Sequence, residues 1–83
     1  MDFQTHSPFI LMVKNWFVLG LKDQNDNWII DSNTRTSTLY FAGSRIMFER
    51  PGSLSAEKID IIGPTTEPLK VMVIYSIFLH LRF

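Results

Sequence analysis

Eighty-three residues carry eight basic and eight acidic side chains, a formal charge of zero, and no cysteine. This excludes disulfides, thiolate metal sites and cysteine nucleophiles, and leaves no net field to draw the chain to nucleic acid or an anionic membrane. With 46% hydrophobic and 19% charged residues, the chain is too apolar for disorder and lean in charge for a free monomer, where about a quarter of residues are charged. One domain, residues 1–83, that rests against something else is the expectation.

The start, Met1 to Pro8, is short and polar, and no cationic stretch precedes the apolar run from Phe9 to Leu21. A cleaved secretory signal is therefore not expected, and a cytoplasmic rather than a secreted protein is. Within the run, Lys14-Asn15 would fall mid-bilayer in any spanning helix, at a cost of several kcal/mol. Two extended pieces, or one bent strand broken there, are expected instead. Trp16 and Val18 would share one face, and Phe17, Leu19 and Leu21 the other. Lys22 to Asn27 is the most polar segment, and Asp26-Asn27 is good turn chemistry. Trp28 to Asp31 should return as a hairpin, across which Trp16 and Trp28 could meet as an aromatic pair.

After a second polar loop, Asp31 to Ser37, the residues Thr38 to Ala42 read as a strand. Gly43-Ser44 reads as a tight turn or bulge, and Arg45 to Glu49 as the partner strand. Tyr40, Ile46 and Phe48 share a parity and are expected to form a core face, with arginines on the solvated side. Arg50-Pro51-Gly52-Ser53 is a strong break. Leu54 to Ile62 allows two structures. Ser55 could cap a short helix ending at Gly63, or Ile59 and Ile61 could alternate with Lys58 and Asp60 along a strand. Gly63 to Pro68 is a stiff, proline-bearing loop.

The last stretch, Leu69 to Phe83, is apolar at every odd position. That alternation predicts a strand. A helix remains the alternative, although it would scatter Lys70 and Arg82 around its surface. Strands usually run roughly 5–6 residues, so fifteen imply a bend, a bulge or a projecting end that meets a partner. The fold class expected is mainly β: a small antiparallel sandwich or barrel of five to seven short strands, with room for one short helix near residues 54–62.

Chemistry is sparse. Asp23, Asn25 and Asn27 have the spacing of a calcium loop, but Trp28 and Thr34 stand where that loop needs Gly and Glu. A hairpin turn is the simpler reading. Ser55-Ala56-Glu57-Lys58 matches a Ser-x-x-Lys pattern without the further motifs its enzymes require. His6 and His80 are too few for zinc. The glycines stand alone, with no phosphate-binding loop. The expectation is a non-enzymatic chain with no catalytic, metal or cofactor residues. Lys14-Asn15-Trp16-Phe17-Val18-Leu19 resembles the second strand of pleckstrin-homology domains. That family's basic loop and Trp-bearing C-terminal helix have no counterpart here, so no function is carried over.

Binding is the remaining class. The apolar strands, C-terminal 69–83 and N-terminal 9–21, suggest a protein–protein interaction module that self-associates or docks on a larger complex, with Met72, Ile74, Phe78 and His80 at the contact. An accessory subunit of a membrane-associated complex would use the same two apolar ends. A nucleic-acid binder would instead work through Arg35, Tyr40, Arg45 and Arg50, where arginines and aromatics interleave.

Overall fold

Side chains that alternate along an extended chain bury one face, and the backbone must then find partners in neighbouring strands. The computed structural model describes residues 2–3, 8–14, 16–52 and 55–75, and every regular element among them is extended. They are β1 (Asp2–Phe3), β2 (Phe9–Val13), β3 (Phe17–Lys22), β4 (Trp28–Ile30), β5 (Ser37–Phe41), β6 (Ser44–Glu49), β7 (Glu57–Ile61) and β8 (Leu69–Tyr75). β1 is only a two-residue pairing, so seven are strands of three residues or more.

All pairings are antiparallel, in two sheets ordered β1-β8-β3-β4 and β2-β7-β6-β5. The core lies between them. Leu19, Leu21, Ile30, Leu69 and Val71 come from the first sheet and Ile46, Phe48, Ile59 and Ile61 from the second, none more than 2% exposed. Each such side chain contributes roughly 1.5–3 kcal/mol over an exposed one.

The turns follow their local chemistry. Asp23 closes the β3–β4 turn: its carboxylate accepts the backbone N–H of Asn25 at 2.8 Å and of Asn27 at 2.9 Å. Asp26 takes the left-handed conformation there, at φ 64°, which Asp tolerates better than most residues. Ala42 and Gly43 form a two-residue hairpin turn with φ 51° and 72°, matched to the twist of the strands it joins. The Gly63–Pro64 bond is cis. The loop that holds it is stitched to the β5–β6 hairpin, with Thr66 N–H donating to Ala42 O at 2.8 Å and Gly63 N–H to Ser44 Oγ at 2.7 Å.

Both open alternatives resolve to strand where the residues are described. Glu57–Ile61 alternates, with Glu57, Ile59 and Ile61 inward and Lys58 and Asp60 outward, so no helix forms there. Leu69–Tyr75 pairs with all of β3, whereas residues 76–83 lie outside the described residues. The break at Lys14 does separate two strands, and the Lys14 carbonyl accepts the Phe17 N–H at 3.0 Å.

Two expectations are corrected. Tyr40 does not share the core face with Ile46 and Phe48. The two-residue turn sets Tyr40 opposite Arg45, which turns it outward to 77% exposure. Leu39 and Phe41 take the inward places instead. Nor do the tryptophans meet. A bulge aligns Trp28 with Lys22, at the end of β3 remote from Trp16. Trp28 lies over Gly20, where an added Cβ would stand 2.7 Å from its Cζ3, and the Lys22 ammonium sits 4.5 Å from its ring centroid. The same bulge turns Ile29 as well as Ile30 toward the core.

Candidate functional site

Three surfaces carry the residues singled out by the sequence. The first is the outer side of β5–β6. Tyr40 and Arg45 are cross-strand partners on that face, both exposed. Beside the turn a shallow hollow of about 620 Å³ is lined by Tyr40, Phe41, Ala42, Gly43, Ser44 and Arg45. Arg35 is exposed ahead of β5, toward the far end of the hairpin. The structure thus joins Tyr40 with Arg45 and leaves Arg35 apart.

Arg50 has a different part. Its Nε donates to Glu57 Oε2 at 2.8 Å and its Nη2 to Glu57 Oε1 at 3.1 Å. Nη2 also donates to the Leu19 carbonyl at 2.8 Å, and Nη1 to the carbonyls of Asp31 and Thr34 at 2.8 and 2.7 Å. That engages all five N–H donors a guanidinium possesses. Glu57 Oε1 in turn accepts the Leu19 N–H at 2.8 Å. With the guanidinium 4.6 Å from the Phe48 ring, Arg50 is saturated within the fold and presents no donor to a ligand. No spacing along the chain signals this three-residue arrangement, because Leu19 belongs to the other sheet from Glu57 and from β6, which Arg50 follows.

The second surface is the end of β8. Leu69 and Val71 are buried at 0% and 2%, but Val73, on the same side of the strand, is 46% exposed. Ile74 on the opposite side is 39% exposed and Tyr75 is 44% exposed. At this end Phe17 packs its ring 5.4 Å from that of Tyr75. Of the sequence-based contact residues, Ile74 is at this end and Met72 is half-buried beside Gly20. Phe78 and His80 lie outside the described residues, as does His6.

The third surface is β2, an edge strand. Its outward residues Ile10 and Met12 are 60% and 64% exposed. They align with Asp60 and Lys58 of β7 on the same face. Asp60 Oδ1 is buried without a hydrogen-bond partner among the described residues.

The polar loops are occupied by their own turns. Asp23 accepts from Asn27 Nδ2 at 3.1 Å as well as from the two backbone N–H groups, which leaves little of the carboxylate for a cation. The Asn27 backbone N–H above all holds its pKa below the ordinary value. The Asn33 N–H does the same for Asp31, and the hydrogen bond from Lys70 does so for Asp26. Among the described residues no group of three or more His, Asp or Glu side chains is gathered as for a metal ion. No helix among them is long and apolar enough to cross a membrane. No family model, no curated protein and no solved structure matches this chain.

Proposed function

We propose that the chain is a small non-enzymatic protein–protein interaction module that docks through apolar strand surfaces. These are the exposed end of β8, with the apolar sequence that continues to Phe83, and the outward side of β2. The observation that supports this reading above all is the change along β8, where one apolar parity passes from 2% exposure at Val71 to 46% at Val73. The alternation that serves the core continues beyond it, so Val73 and Ile74 offer apolar surface on both sides of one ribbon. An exposed apolar strand of this kind is an association hazard unless something covers it.

The test is the solution mass in detergent-free buffer, by size-exclusion chromatography with light scattering. A mass above the monomer that falls with Ile74→Lys or Phe78→Asp supports docking through β8. A monomer at every concentration that binds nucleic acid steeply with salt, and loses the slope with Arg35→Ala and Arg45→Ala, would replace the module with a nucleic-acid binder. Aggregation relieved only by mild detergent would replace it with a membrane-associated subunit.

A further inference from the structure

The exposed side of β2 has a shape that selects its occupant. Within Phe9–Val13 there is no charge, proline or bulge, the devices by which edge strands are kept from pairing. Among the described residues β2 pairs with β7 alone. The other edges differ. β1 has two residues, β4 has three and a bulge, and β5 turns Thr38 and Tyr40 outward.

The apolar stripe on β2 is also only one strand wide. Ile10 and Met12 give way at once to Asp60 and Lys58 on β7. A membrane surface or a helix would need a broader patch. A strand laid alongside would double the stripe.

We infer that the occupant is a second copy of this chain, paired antiparallel through β2 about a two-fold axis at Leu11, so that the β2-β7-β6-β5 sheets of the two copies join into one. This rests on the module reading above and names its partner. In that register Ile10 faces Met12 of the second copy, twice by symmetry. Each joined row then reads Asp60, Ile10, Met12 and Lys58, the last two from the second copy. Acid and base in each row thus lie three strand spacings or about 14 Å apart, and β6 extends the row with Met47 beside Asp60 and Glu49 beside Lys58. Like charges on the diagonal are further apart. The Lys58 stem can lie along the apolar pair and carry its ammonium toward the carboxylate of Asp60, whose Oδ1 lacks a partner among the described residues. A one-residue slip would set inward side chains against outward ones and lose the match.

A chain without cysteine makes the test direct. Directly opposed residues lie within disulfide reach, and diagonal ones do not. Chains bearing Ile10→Cys and Met12→Cys should therefore cross-link when mixed under oxidation, while neither cross-links with itself. The wild-type mass should be twice the monomer, and Ile10→Lys with Met12→Lys should halve it. A dimer that survives those two lysines but is lost with Val73→Lys and Ile74→Lys overturns the β2 seam and leaves the module reading standing. Equal cross-linking of each single variant with itself overturns the register. A wild-type monomer at every concentration overturns the second copy as occupant, and the module reading then stands or falls on the nucleic-acid and detergent results.

Discussion

Arg50 and Glu57 together stand in for a strand beside Leu19. The carboxylate accepts the Leu19 N–H and the guanidinium donates to the Leu19 carbonyl, both at 2.8 Å. Both side chains belong to the second sheet's end of the molecule and Leu19 to the first, so one ion pair satisfies a backbone edge across the sandwich. β4 leaves this part of β3 unpaired, since its last residue, Ile30, aligns with Leu21.

Breaking this pair from either side should be severe. Side-chain exposure is 13% for Arg50 and 6% for Glu57, and removing one member of such a pair costs about 3–5 kcal/mol. In a small domain that is a large part of the total. Arg50→Lys should not rescue, because an ammonium cannot reproduce the fork that meets Glu57, Leu19, Asp31 and Thr34. Urea unfolding of Glu57→Gln, Arg50→Lys and the wild type checks this. A loss below about 1 kcal/mol in Arg50→Lys would refute it.

Along β8, cost should follow exposure rather than residue type. Leu69→Ala should lose about 2–5 kcal/mol and leave a cavity. Val73→Ala, two places beyond Val71 on the same side, should stay within about 0.5 kcal/mol in a monomeric state. The same unfolding series measures both.

Gly20 and Gly43 should resist alanine for different reasons. At Gly20 a Cβ would meet Trp28 at 2.7 Å, so Gly20→Ala should lift the indole from the strand. In a Trp16→Phe background its fluorescence should report the change, with a loss of about 1–3 kcal/mol. At Gly43 the added carbon would meet Thr66 Cγ2 at 2.7 Å with φ at +72°, and the left-handed conformation alone costs about 1–2 kcal/mol. Thermal unfolding of Gly43→Ala should show it.

Acid should weaken the fold through its turns. Asp23, Asp26 and Asp31 are all held below the usual 3.8. The unfolded chain therefore binds protons first, and stability is complete above the unfolded value and lost as pH falls through the folded ones. The loss should begin near pH 4 and steepen below it. Asp23→Ala should flatten that acid limb and lower the melting temperature at neutral pH. Melting curves between pH 2 and 7 decide it.

What could be read from the residues was whatever neighbours in sequence determine. Alternation gave β8 as far as Tyr75 and left β7 as one of two alternatives, and Asp26-Asn27 gave the first hairpin. Tyr40 takes the face opposite Ile46 and Phe48 because the turn has two residues, which pairs even positions with odd ones. One parity would run through the hairpin only if the turn had an odd number of residues. Trp28 stays clear of Trp16 because the turn returns it opposite Lys22, six positions along the chain from Trp16, and no side-chain parity can close that distance. The Arg50–Glu57–Leu19 arrangement had no local trace. It depends on two sheets meeting, which no spacing along one strand records.

The pairing of β3 with β8 has a consequence for the chain as it is made. Leu19 aligns with Val73 and Leu21 with Val71, so the first sheet waits for nearly the last residues described. Until β8 leaves the ribosome, β3 has only the short Leu21 and Lys22 pairing with β4. The second sheet's β5–β6–β7 meander can assemble meanwhile, since its neighbours are consecutive. The nascent chain would then carry Leu19 and Leu21 uncovered until Val71 and Val73 emerge. That interval is when a chaperone would bind it.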